Sequence, residues 1–211
     1  MNQRIVRVFA LVAALGVAAC GDDDPVASGD QLSEVEVQAL SALILSSGFE
    51  GTASVPVAAA AAVEGPQPVP FTSTADVETT VPCTFSGSVR LSGQATVSGD
   101  DETQIYNVLY NVGQAHQSCV EQAETGQQFE LTSSLNLNVD ANIVGATGSE
   151  SYDFEGSVLG TVDWASEGRS GRCSVSIQYS ASMTSATLSA TSSGEVCGTQ
   201  FSQEFTYGVE G

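Results

Sequence analysis

The chain has 211 residues, of which 42% are hydrophobic and 7% aromatic, enough to bury the core of one ordinary domain. Small and hydroxyl-bearing residues outnumber large aliphatic ones, which favours β-structure over a helical bundle. The 25 acidic residues face five basic ones, all of them arginine, and this excludes a nucleic-acid-binding protein because phosphate recognition needs Lys and Arg. The same charge keeps a folded body away from anionic lipid headgroups, and it suits either solubility or a site for cations.

The first 19 residues fall into the three zones of a signal peptide. MNQRIVR carries two positive charges, and VFALVAALGVAA is an apolar run too short for a spanning helix, which needs about 20 residues. The last three residues of that run and the next one, Val17-Ala18-Ala19-Cys20, resemble the lipobox of bacterial lipoproteins. The resemblance implies cleavage before Cys20, a diacylglycerol thioether on its sulfur and acylation of the new N-terminus. The alternative is an ordinary secretory signal that happens to contain a cysteine.

A lipid on Cys20 would anchor the protein to a membrane of the bacterial cell envelope, on the periplasmic or the surface face of the outer membrane. Each buried acyl CH₂ contributes about 0.8 kcal/mol, so two or three chains make a durable anchor. Removal of residues 1–19 leaves three bases against 25 acids, a net charge of about −22. Residues 20–31 then form an acidic tether, in which Asp22 to Asp24 are either a solvated spacer or a surface-export signal.

Residues 32–48 carry the signals of an amphipathic helix. Ser33 and Glu36 fit a capping box, and Gly48 fits a C-terminal stop. An apolar stripe at helical spacing consists of Val37, Leu40, Leu43 and Ile44. We expect this helix to pack on a sheet. Residues 49–80 contain four prolines, which exclude a continuous helix or an internal strand, so this segment is predicted to be a connector with at most one short strand.

From residue 81 to 211 apolar and polar residues alternate with a period of two, which predicts strands with one buried face. The predicted strands are 81–97, 104–120, 129–143, 152–164, 173–183 and 201–209. Short turn-rich connections favour an antiparallel meander. Strands this long must coil, so we expect a mainly β fold: a curled sheet or a barrel, with the helix in its apolar concavity or closing one end. The lipobox, the leading helix and the lack of aromatic girdles argue against an outer-membrane barrel.

The four cysteines of the β body form an even set, typical of two disulfides in an exported protein. If 81–97 and 104–120 form a hairpin whose facing residue numbers sum to about 202, Cys83 faces Cys119. Cys173 and Cys197 are then the remaining pair, although a competing register that turns at 191–195 would separate them. No C-x-x-C spacing occurs, so a metal site is not expected.

The sequence offers few candidates for catalysis. His116 is the single histidine, no G-x-S-x-G motif accompanies it, and it lies where a predicted strand loses its alternation, so we expect a surface or end-of-strand residue. Asp153 and Glu155 share the polar face of a strand, where they suit a glycosidase pair, a calcium site or solvated charges. No cofactor motif is present.

These patterns predict a non-enzymatic binding or structural module anchored to a membrane. A curled sheet of this kind could hold an apolar ligand, and another envelope protein is a second possible partner. The alternative function is a secreted-type hydrolase that uses His116 or the carboxylate pair.

Overall fold

The structure is a computed structural model that describes residues 28–53, 70–100, 105–146, 149–184 and 187–208. It consists of nine strands and one helix. In chain order these are β1 (Ser28–Gly29), α1 (Glu34–Ala53), β2 (Phe71–Pro82), β3 (Ser86–Asp100), β4 (Ile105–Gln122), β5 (Gln128–Ala146), β6 (Ser149–Ser166), β7 (Arg169–Thr184), β8 (Thr187–Val196) and β9 (Thr199–Gly208).

Strands β2 to β9 form one antiparallel meander in which each strand pairs with its neighbours in sequence. Within the described ranges β2 and β9 do not pair with each other, so the sheet is open. The short strand β1 pairs with the start of β7. This architecture confirms the predicted fold class: a mainly β meander with one packed helix.

The connections between the strands alternate between the two ends of the sheet. At one end, here called the disulfide end, lie the turns 83–85, 123–127, 167–168 and 197–198. At the other, the far end, strands β3, β5 and β7 end and strands β4, β6 and β8 begin. Both disulfides and the start of α1 belong to the disulfide end.

Helix α1 lies in the apolar concavity of the sheet. It contacts β2, β3, β4 and β9, so the sheet curves far enough for both of its edge strands to reach one helix. The helix buries Leu40 and Ile44 completely, and both belong to the same core cluster as Leu91, Leu131 and Ile177 of the sheet. Burying a Leu or Ile side chain contributes about 1.5–3 kcal/mol, so this stripe accounts for the predicted packing of the helix.

Two glycines on the apolar face make the curvature possible. Gly160 has φ of +148°, a conformation that other residues rarely adopt. Gly156 lies under Tyr179, and a Cβ there would come within 2.4 Å of the tyrosine hydroxyl oxygen and 2.2 Å of the Asn138 carbonyl oxygen. An aromatic ring lying across a glycine on the neighbouring strand is a typical device of strongly curled sheets.

Several sequence-based boundaries are wrong. Helix α1 continues past Gly48, the expected stop, to Ala53, and Gly48 instead allows close approach to Gln114 and Leu137 of the sheet. The predicted tether 20–31 contains β1.

The predicted connector 49–80 contains most of β2, a twelve-residue strand, because its four prolines all come before Phe71. Pro82, the only proline of β2, lies at the end of this edge strand, where it is tolerated. The predicted strand 81–97 is divided by a turn at 83–85. Phe85, which the alternation of 81–97 places on the apolar face, is therefore 53% exposed. The segment 191–195, a candidate turn, lies inside β8, which the predicted strands omit.

Both predicted disulfides are present. Cys83 and Cys119 are bonded with a Cα–Cα distance of 5.6 Å, and Cys173 and Cys197 with one of 4.7 Å. The register that predicted the first bond is nevertheless wrong by three residues, because Val97 faces Val108. The pairing survives because Cys83 lies in the β2–β3 turn, which folds back onto β4 instead of continuing β3.

Candidate functional site

His116 is buried on the apolar face of β4, with 1% of its surface exposed, and the predicted surface position is therefore wrong. The alternation of β4 continues through Val112, Gln114 and His116, all of which face inward. It breaks only afterwards, at a bulge where Ser118 has φ of +46°. The residues at 114 and 116 are polar, and that is why the sequence pattern looked as if it had lost its phase.

Three polar side chains surround this histidine and form a cluster of four with it. Ser47 Oγ of α1 lies 2.9 Å from His116 Nε2, and Ser133 Oγ of β5 lies 2.6 Å from His116 Nδ1. Gln114 Nε2 donates to the Ile44 carbonyl and to Ser47 Oγ, both at 2.9 Å. The cluster therefore joins the second half of α1 to two strands of the sheet. The only sign of this cluster in the sequence is that positions 114 and 116 fall on the inward-facing side of the strand alternation.

The hydrogen-bond partners favour one tautomer of the imidazole. With Ser47 Oγ donating its single hydrogen to the Ile44 carbonyl at 3.0 Å, Ser47 accepts from His116 Nε2–H. Ser133 Oγ accepts the backbone N–H of His116 at 3.2 Å and donates to Nδ1. In this arrangement the imidazole cannot act as a base toward Ser47.

Burial lowers the pKa of His116 to about 4, because the charged imidazolium would lose its hydration. No hydrogen bond joins the imidazole to a carboxylate among the described residues. A triad needs such a group to orient and stabilise the charged ring. The cluster thus fits a structural role, in which it holds α1 against the sheet, better than a catalytic one.

The carboxylates of the predicted pair lie on the opposite, solvent face of the sheet. Asp153 and Glu155 are exposed on β6, and Glu155 faces Asp140 across the β5–β6 pair. Asp140 accepts a hydrogen bond from Asn107 Nδ2 at 2.6 Å. Asp140, which the sequence analysis did not single out, thus lies beside Glu155 and is hydrogen-bonded to β4.

These carboxylates line a shallow groove across the solvent face, toward the far end. The groove consists of two adjoining hollows of about 710 and 530 Å³. Both hollows are lined by Asp140, Glu155, Ser180 and Thr191. The three described arginines, at positions 90, 169 and 172, do not line it. The groove is therefore open, and its charged side chains are all acidic.

Two further findings bear on the site. Cys83, Cys119 and Glu121 offer potential ligand atoms within 4.8 Å of one another, but the two sulfur atoms are bonded to each other. In the part of the chain that the structure describes, no helix combines the length and apolarity needed to cross a membrane. Comparison of the chain with protein-family models, with curated proteins and with solved structures gives no match.

Proposed function

We propose that this chain is a lipid-anchored lipoprotein of the bacterial cell envelope and that its β domain is a non-enzymatic binding module. The anchor rests on the three-zone N-terminus and on Cys20 in its lipobox-like setting. The observation that carries the binding role is the polar groove on the solvent face of the sheet.

Charge complementarity identifies the class of partner. Asp140, Asp153, Glu155 and Glu204 line the groove, and no basic residue is among its lining. Such a surface attracts cationic groups and repels anionic ones. We therefore assign the groove to an Arg- or Lys-bearing segment of another envelope protein.

The structure argues against an apolar ligand in the concavity of the sheet. That concavity holds α1, whose Val37, Leu40 and Ile44 are fully buried in the shared core. An apolar ligand would have to displace the helix and its polar cluster. The His116 form of the hydrolase alternative is disfavoured as well, because in this arrangement His116 donates to Ser47 and has no carboxylate partner in the described hydrogen bonds. Asp153 and Glu155, its other candidates, line the groove assigned to the cationic partner.

Lipidation is tested by growth with radiolabelled palmitate. The wild-type protein should incorporate label and the Cys20→Ala variant should not. Equal labelling of both proteins would refute the anchor.

The groove is tested by titrating an oligo-arginine peptide into two double variants of equal charge. Asp140→Asn with Glu155→Gln removes two groove carboxylates, whereas Glu124→Gln with Glu130→Gln removes two exposed carboxylates near the disulfide end. Two surface charges worth about 0.7 kcal/mol each predict an affinity about tenfold weaker for the groove variant. Equal weakening in both variants would show attraction to net charge alone and would contradict the assignment.

A further inference from the structure

The chain that leads in from the N-terminus is attached to the disulfide end of the sheet. Ser28 and Gly29 pair with Arg172 and Gly171 at the start of β7. Asp30 then donates its N–H to the Ser170 carbonyl at 3.0 Å and accepts the Ser170 N–H on its carboxylate at 3.1 Å. The backbone enters the domain at one defined place.

Glu36 fixes the same place from inside the domain. Its carboxylate accepts hydrogen bonds from Arg169 of β7, from Gln127 of the β4–β5 turn at 3.0 Å and from the Ser33 N–H at 2.8 Å. Arg169 also donates to the Gln31 carbonyl at 3.3 Å. The Arg169 contact, opposed in part by burial, holds the pKa of Glu36 at about 2, so the carboxylate stays charged at neutral pH. The entering chain, the helix start and two turns are thus joined.

Chain length limits how far this place can lie from Cys20. Ser28 lies eight positions beyond Cys20, and a fully extended chain spans no more than about 28 Å over that distance. Along β7, Thr184 at the far end lies twelve positions beyond Arg172, which faces Ser28, and this is about 40 Å along the strand. A domain standing on its far end would therefore stretch the tether to its full length or beyond, even with strands tilted as in a curled sheet.

Charge favours one of the two remaining orientations, upright on the disulfide end or lying on the solvent face. Arg90, Arg169 and Arg172 all lie toward the disulfide end, where they offset part of its acidic charge, whereas no basic residue lines the groove. The disulfide end thus offers anionic headgroups cationic contacts that the groove lacks. The disulfide end also exposes Phe85 and Val35, 53% and 60% accessible, which suit the membrane interface.

We infer that the domain stands on the membrane on its disulfide end and presents the acidic groove away from the bilayer. This inference rests on the proposed lipid at Cys20. The partner would accordingly meet the groove about 26 Å or more along β7 from the point of attachment, since Ser180 lies eight residues beyond Arg172.

The chain offers a natural probe of this orientation. Trp164 is its single tryptophan and lies two residues from the end of β6, at the disulfide end. The chain from Cys20 onward is coupled through that thiol to a maleimide lipid in phosphatidylethanolamine–phosphatidylglycerol vesicles that contain a dansyl lipid. Energy transfer from tryptophan to dansyl then reports height above the bilayer. Coupling in vitro keeps this test separate from palmitate labelling, so a failure of orientation and a failure of cellular lipidation are distinguishable.

The comparison protein moves the tryptophan to the far end by Trp164→Phe with Ile105→Trp, the latter at an exposed position. Transfer should be several-fold more efficient from Trp164 than from residue 105, and absent in Cys20→Ala. Equal transfer would indicate a domain lying on its side, and stronger transfer from residue 105 an inverted one; either result overturns the inference.

Because Trp164 is buried, its replacement could impair folding, so a second pair keeps it in place. Phe85→Trp and Ile105→Trp each add one tryptophan at an exposed position of the native chain. Mean transfer should hold or rise with the first and fall with the second. A fall with the first or a rise with the second would contradict the inference.

Discussion

The pH dependence of stability is expected to reveal the buried imidazole. His116 has a pKa of about 4 in the folded protein against 6.5 for an unperturbed histidine. Between these values the unfolded chain binds a proton and the folded protein does not, so this group causes no loss of stability above pH 6.5 and a growing loss as the pH falls to 4. The lowered pKa corresponds to about 3 kcal/mol over the whole interval and to about 2 kcal/mol between pH 7 and pH 5.

The assay is urea unfolding of the disulfide-bonded protein at pH 7 and pH 5, for wild type and for two variants that do not titrate. His116→Asn retains an acceptor for Ser133 in the Nδ1 position, and His116→Gln retains a donor toward Ser47 in the Nε2 position. Both variants are less stable than wild type at pH 7, but both should lack the loss of about 2 kcal/mol on going to pH 5.

Protonation of surface carboxylates changes charge repulsion in all three proteins alike, so the difference between wild type and variant isolates the imidazole. The same pH dependence in all three would refute the assigned burial of His116.

Three more outcomes follow from the contacts. Glu36→Gln should lower the free energy of unfolding at pH 7 by about 1–2 kcal/mol, a modest figure because the arginine partner is partly exposed. The effect should vanish as the pH falls from 4.5 toward 2, and Glu34→Gln, at an exposed position two residues away, should have little effect. Gly156→Ala should cost about 1–3 kcal/mol by overpacking against the neighbouring strands, whereas Gly113→Ala, where the nearest atom is 3.5 Å away, should be tolerated in urea unfolding. Replacing either cystine by an alanine pair should cost about 3–4 kcal/mol, and a loss below 1 kcal/mol would contradict the loop-closure reasoning.

The period of two predicted the meander, because every long strand buries one face and the pattern records that face directly. Both disulfides followed from it, although the first did so from a register that is wrong by three residues. A disulfide tolerates such an error when one cysteine lies in a turn, as Cys83 does. Predictions from alternation are therefore firmer about which strands are neighbours than about which residues face each other.

What the pattern could not predict are the places where polar residues face inward and where small residues form a strand. Gln114 and His116 occupy core positions, and only the helix that satisfies them explains why they are there. Strand β8 is largely Ser, Thr, Gly and Ala, so its alternation carries no contrast of hydropathy. The groove depends on the curvature of the sheet, which belongs to no single strand of the sequence.

The two faces of the sheet are coupled through Tyr179. Its ring packs edge-on against Phe49 of α1 at 5.1 Å, and its hydroxyl donates to the Asn138 carbonyl at 3.1 Å. Asn138 in turn lines the groove on the opposite face. The position of the helix on the sheet is therefore coupled to the backbone that shapes the groove.

Polar contacts fix the position of α1 on the sheet. Turning α1 by one residue would rotate Ser47 by 100° and leave buried donors and acceptors of His116 and Gln114 unpaired, at about 1–3 kcal/mol for each group. One buried atom, Gln114 Oε1, is already without a hydrogen-bond partner, so a further loss in this cluster would add to an existing cost. An apolar seat would allow the helix to slide or rotate at little cost, and the curvature of the sheet would follow it. The polar cluster around His116 thus serves the proposed binding role indirectly, because it holds α1 in the one position that fixes the groove behind it.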